Sequence, residues 1–230
     1  MDQGHLQRNG RRGSGAGLVQ IYRARVFPLL AAALWVGFLT LDVTGWGDST
    51  ALKFLSICLC GVTAWTGVTT RDGLWVALAL SLTVCADVFL LALNRGVADR
   101  ITGVAVFLCV QALYALRLWF LRERRVCRWG AALRLLSLAA LPALDSRLYA
   151  LSAVYFVNLC VNCLEALTLG RGRPAGRLGW GLLLFVCCDI CVGCWNVGLL
   201  GDFARVGMWC FYLPSQALIV LSVPKKEIAL

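Results

Sequence analysis
The chain has 230 residues, 60% of them hydrophobic and only 15% charged, with a formal net charge of +10. Soluble domains average about 45–50% apolar and about 25% charged residues, so this composition excludes an ordinary soluble domain and calls for lipid around most of the chain. The basic residues cluster between apolar runs, where they serve topology and attract anionic headgroups, and nucleic acid is excluded as a partner.

Residues 1–25 are rich in Gly and Arg and are expected to form a disordered basic cytoplasmic tail. That tail holds His5, the only histidine, so no imidazole is available in the apolar part for His-ligated zinc or a Ser-His-Asp triad. Eight apolar runs follow, near 27–43, 52–69, 74–93, 101–121, 131–144, 148–169, 178–200 and 205–223. A crossing needs roughly 20 apolar residues, and the fifth run is short. The first run has no small-residue cleavage site after Val43 and is expected to be a retained helix, not a signal peptide. Residues 26–224 are therefore expected to be an all-α membrane protein, an eight-helix transmembrane bundle, with 225–230 as a short basic cytoplasmic tail.

Lys and Arg in short loops stay on the cytoplasmic side. With the N-terminus inside, the inner segments carry Arg8, Arg11, Arg12, Arg23, Arg25, Arg71, Arg122, Arg124, Arg125, Arg128, Arg134, Arg171, Arg173, Arg177, Lys225 and Lys226. The outer loops carry Arg95, Arg100, Arg147 and Arg205. This bias predicts a multi-pass protein with both termini cytoplasmic.

Of the 12 cysteines, all but Cys127 fall inside apolar runs, where a thiol is chiefly a small hydrophobe. Two C-x-x-C pairs, Cys160/Cys163 and Cys191/Cys194, have thiolate-ligand spacing. A closed thiolate site in hydrocarbon needs its charge compensated, so neither a metal nor another cofactor is expected.

The third and seventh runs echo each other. Cys85-Ala-Asp87-Val-x5-Asn94-x-Gly96 is matched by Cys187-Cys-Asp189-Ile-x5-Asn196-x-Gly198, and each copy leads into a helix with a Tyr and a Gln, Tyr114 with Gln111 and Tyr212 with Gln216. The copies lie four runs apart, so both Asp-bearing helices cross in the same sense and two parallel four-helix repeats become the expected architecture. Asp87 and Asp189 then share a depth and are placed to face one cavity.

An ionisable group inside a span costs roughly 3 kcal/mol on insertion scales and normally faces a cavity or a partner. Asp87 and Asp189 are the foremost candidates, with interhelical packing as the competing role. Lys53, at the start of the second run, either snorkels to the outer interface or pairs with an Asp or a phosphate. Glu165 is expected to make a boundary salt bridge with Arg171 or with headgroups, and Asp42 to lie at the interface. Tyr114, Tyr155 and Tyr212 sit well inside spans and need hydrogen-bond partners.

The run Ser81-Leu-Thr-Val-Cys-Ala-Asp87-Val-Phe-Leu-Leu, followed by Gly103-Val-Ala-Val-Phe107-Leu-Cys-Val-Gln111-Ala-Leu-Tyr114, resembles the third and fourth helices of the lysoplasmalogenase (YhhN-like) family. Phe185-Val-Cys-Cys-Asp189-Ile and Phe211-Tyr212-Leu-Pro-Ser215-Gln216-Ala-Leu-Ile resemble its seventh and eighth, Lys53 matches its second-helix Lys, and Tyr155 suits its sixth. Ala86, Cys188, Phe54 and Gln111 stand where the family pattern has Gly, Ser, Pro and His. The resemblance implies eight helices and hydrolysis of the vinyl-ether bond of a lysophospholipid, with Asp87 and Asp189 as acid and base. Lys53 would bind the phosphate, and Gln111, Tyr114, Tyr155, Tyr212 and Gln216 would line the polar end of the cavity. A proton-coupled transporter and a non-catalytic lipid-binding protein of the same fold remain the alternatives, and the oligomeric state is left open.

Overall fold
The computed structural model describes residues 17–169 and 173–224, the side chains of 173 and 174 excepted. The described residues form helices and no strands. In chain order these are α1 (Gly17–Thr44), α2 (Thr50–Thr66), α3 (Arg71–Leu93), α4 (Val97–Leu121), α5 in two pieces (Arg128–Ser137 and Ala140–Ala143), α6 (Arg147–Thr168), α7 (Arg173–Asn196) and α8 (Gly201–Leu221). Six of them, α1, α3, α4, α6, α7 and α8, are long and apolar enough to cross a membrane.

The other two fall short for identifiable reasons. Helix α2 has 17 residues, about 26 Å at the helical rise, against a hydrocarbon core of about 30 Å. Helix α5 breaks at Leu138–Ala139 just ahead of Pro142, and its Arg134 turns inward to pair with Glu165 on α6 at 2.6 Å; Arg171, the partner expected for Glu165, lies outside the described residues. Its Leu135 and Leu136 face outward.

Residues 17–25 are helical and so do not belong to the tail expected over 1–25. Packing accounts for this: the Tyr22 hydroxyl bonds Thr63 Oγ1 on α2 at 2.9 Å, and Arg23 Nη2 donates to Val220 O on α8 at 2.9 Å. Residues 1–16 and the expected tail at 225–230 lie outside the described residues.

Helix ends follow ordinary capping rules. Thr70 opens α3 by accepting from Gly73 N, with Asp72 in the first turn at the positive end of the helix dipole. Gly45 closes α1 in the left-handed conformation at φ 70°. Just beyond Asp87, α3 widens to a π-helical stretch, Val88–Leu93, a departure that often accompanies a functional residue.

Within the bundle most helices pack on their neighbours in sequence, α5 packs on α6 and not on α4, and α8 lies along α7. Across the halves α4 packs on α6 as α8 packs on α2, and α8 also touches α1 and α3. Glycines allow close approach at several of these contacts. A Cβ at Gly181 of α7 would stand 3.0 Å from Ser215 O of α8, and one at Gly103 of α4 would strike Leu90 in the π-helical stretch of α3. One end of the bundle is locked by Arg117, which is wholly buried, forks onto Asp72 at 2.7 and 2.8 Å, and donates to Ser222 Oγ beyond the end of α8 at 2.7 Å.

Candidate functional site
At the opposite end of the bundle, α3, α4, α6, α7 and α8 surround a cavity of about 1100 Å³. That is at the upper end of small-molecule sites. Its inner wall carries Asp87 and Asp189 from the two echoed helices together with Tyr155, Phe185, Cys188 and Tyr212, and both echoed asparagines, Asn94 and Asn196, line it as well.

Asp87 is buried and its Oδ2 accepts a hydrogen bond from the Tyr212 hydroxyl at 2.7 Å. The tyrosine is held by packing: its ring lies 5.7 Å from Trp209 and 5.6 Å from Phe185. Pro214, two residues on, removes one hydrogen bond from the α8 ladder. Asp189 is half-buried, since part of its surface faces the cavity, and its Oδ2 has no hydrogen-bond partner among the described residues. Tyr155 of α6 stands beside the cavity with its ring 5.8 Å from Phe107.

The cavity thus collects Asp87, Asp189, Tyr155 and Tyr212, while Lys53, Gln111, Tyr114 and Gln216 do not line it. Lys53 Nζ forms a salt bridge with Asp42 Oδ2 at 2.8 Å and lies 4.5 Å from the centroid of the Trp209 ring. Trp209 lines the cavity, so the charge of Lys53 is spent behind the wall. Gln111 is wholly buried and receives Asn162 Nδ2 at both its side-chain and backbone oxygens, at 3.0 and 2.9 Å. Asn162 is itself bonded by Arg134 at 2.7 Å. Gln216 bonds only Ser215 Oγ, at 3.2 Å, and the buried Tyr114 hydroxyl has no partner among the described residues.

Depth explains the split. On α4, Phe107 is the innermost lining residue, and Gln111 and Tyr114 lie about 6 and 10 Å further along the axis, past the cavity floor. On α8, Tyr212 is the innermost lining residue and Gln216 is one turn beyond it.

Arg100 and Arg205 also line the cavity, although their positions in the sequence read as ordinary loop cations. The signal available for them was position: each opens a helix that runs past an acidic residue into the cavity wall. No cluster of His, Cys, Asp and Glu suited to a metal ion occurs among the described residues.

The model of the YhhN family matches residues 49–223, which include both cavity carboxyls and every described helix but α1. The chain belongs to the YhhN family. That family includes lysoplasmalogenases. No curated protein and no solved structure matches the chain. Within the YhhN match fall all five helices that enclose the cavity, whereas the Asp42 that neutralises Lys53 comes from α1, outside it.

Proposed function
We propose that the protein is a lysoplasmalogenase-like membrane hydrolase that cleaves the vinyl-ether bond of a lysoplasmalogen to a fatty aldehyde and a glycerophospho-headgroup. The observation that carries this reading is the meeting of Asp87 and Asp189, from two separate helices, in one cavity with Tyr155 and Tyr212.

The reaction asks for little more than two carboxyls and a water molecule. A protonated carboxyl delivers its proton to the outer carbon of the vinyl ether, the double-bond electrons take it up, and the inner carbon becomes part of an oxocarbenium ion. The ionised carboxyl removes a proton from water as its oxygen bonds to that carbon, giving a hemiacetal. Collapse of the hemiacetal breaks the carbon–oxygen bond to glycerol, the departing oxygen takes a proton, and the aldehyde is released. Glycosidases handle a similar cation with a pair of carboxyls. In this chain the anion opposite the cation would be whichever Asp does not deliver the proton. The Tyr212 hydroxyl holds Asp87 in place, and the apolar walls, including Phe107, Phe156, Val104 and Met208, suit an alkenyl chain.

Gln111 bears on the reading through its position. The family pattern has His there, yet Gln111 is bonded to Asn162 below the cavity floor, so the change takes no group away from the cavity.

The test is product analysis with purified protein and a vinyl-ether lysolipid. Aldehyde release that is abolished in Asp87→Asn and in Asp189→Asn, with both variants folded and inserted, is the expected result. General acid–base groups typically contribute about 10²–10⁴-fold, so a loss of only several-fold in both variants would sink the carboxylate mechanism. Proton-coupled uptake without aldehyde would favour a transporter, and binding alone a lipid-binding protein.

A further inference from the structure
With Lys53 neutralised by Asp42 behind Trp209, the cavity still needs a group for the headgroup phosphate of an amphiphile. The full cations on its lining are Arg100, in the first turn of α4, and Arg205, in the second turn of α8. We propose that Arg100 and Arg205 form a phosphodiester subsite at the cavity mouth, with Asn94 and Asn196 as further donors at the same level. The identity of the substrate rests on the hydrolase reading above; the anion subsite rests on the geometry.

Spacing supports it first. Arg205 precedes Tyr212 by seven residues, and Tyr212 is the residue bonded to Asp87. Arg100 precedes Phe107, at the cavity floor, by seven residues as well. Seven residues of helix are about 10 Å. On their own helices both arginines therefore sit roughly two turns nearer the mouth than the floor residues Phe107 and Tyr212. In a lysoplasmalogen the ether oxygen and the phosphorus are five bonds apart, about 6 Å at the advance of an extended chain. A long, flexible arginine side chain can span the remainder, so that one molecule can hold its phosphate at the mouth while its ether oxygen reaches Asp87 and Asp189.

Charge supports it second. Arg100 makes no salt bridge among the described residues. Arg205 Nε meets Asp202 Oδ1 at 3.0 Å, but the Asp202 side chain is 81% exposed, and such surface pairs contribute little. Two planar guanidinium groups facing one mouth suit a phosphate with several acceptor oxygens, where a single ammonium would act only as a point charge.

The test measures binding, not cleavage, so it does not depend on turnover. The probes are a saturated 1-O-alkyl lysophosphoethanolamine, which lacks the vinyl bond, and a 1-O-alkylglycerol with the same chain and no phosphate, each titrated into the full-length protein in detergent. Arg100→Ala and Arg205→Ala should each weaken the phospho-ligand about ten-fold or more, as expected for a hydrogen bond to a charged group. Both variants should leave the alkylglycerol unchanged, and the double variant should bring the two ligands to similar affinity. Arg95→Ala, which removes a cation just before α4 that does not line the cavity, should bind both as the unmodified protein does. Equal losses for both ligands, or none for either, would overturn the subsite. Arginine-dependent competition by millimolar inorganic phosphate would overturn its assignment to a lipid headgroup in favour of a free anion. If the unmodified protein binds the phospho-ligand through these arginines but releases no aldehyde, the subsite stands and the hydrolase reading falls.

Discussion
Tyr212→Phe removes a single oxygen and leaves the ring, so it isolates what the 2.7 Å hydrogen bond to Asp87 contributes. The ring contacts to Trp209 and Phe185 are unaffected by the change, and Tyr212 is buried beside a cavity that tolerates the loss of one hydroxyl. Asp87 is only 4% exposed, so water replaces the lost donor poorly. A hydrogen bond to a charged group is worth about 1.5–3 kcal/mol, which at 1.36 kcal/mol per decade corresponds to a rate loss of roughly 10–100-fold. Because the bond acts on Asp87 and not on the lipid, the loss should fall on kcat with little change in KM. Aldehyde release from a vinyl-ether lysolipid, measured over a range of lipid mole fractions in mixed micelles, separates the two. A kcat within a factor of two of the unmodified protein would refute the view that Tyr212 supports Asp87 in the proposed reaction. A rise in KM alone would make Tyr212 a lipid contact.

Removing one member of the Lys53–Asp42 pair should strand a charge that is nearly enclosed, so Lys53→Met should lower stability by roughly 3 kcal/mol, seen as an earlier thermal transition in detergent. The double variant with Asp42→Asn should recover most of it, and no recovery would refute a simple pair. Arg117→Lys should fail to rescue the folded yield lost in Arg117→Ala, because an ammonium cannot reproduce the two-pronged contact with Asp72 and also reach Ser222; monodisperse elution of the Lys variant at normal yield would contradict this. Reporter fusions after Arg128 and at Leu230 should both read cytoplasmic, from the distribution of Lys and Arg. Opposite readings would mean an odd number of crossings and would remove the parallel repeat.

Apolar run length and the two embedded carboxyls were legible from the chain alone, for a physical reason. In lipid every backbone group has to be satisfied within its own helix, so a long apolar run can hardly be anything else, and an Asp inside one cannot be left facing hydrocarbon. Helices α1, α3, α4, α6, α7 and α8, and the candidacy of Asp87 and Asp189, follow from those two rules. The choice among their polar neighbours does not. These helices are apolar nearly all round, so their pattern says little about which face turns inward or how deep a cavity reaches. Gln111, Tyr114 and Gln216 share their helices with cavity residues yet lie past its floor, and only the packing of five helices around that space separates them from Tyr212. Lys53 had several partners within reach of a flexible side chain, and the approach of α1 to α2 selected Asp42. Arg100 and Arg205 read as loop charges because the cavity they line is assembled from helices remote in sequence, and the helical conformation of residues 17–25 is held by contacts with Thr63 and Val220 that no local pattern encodes.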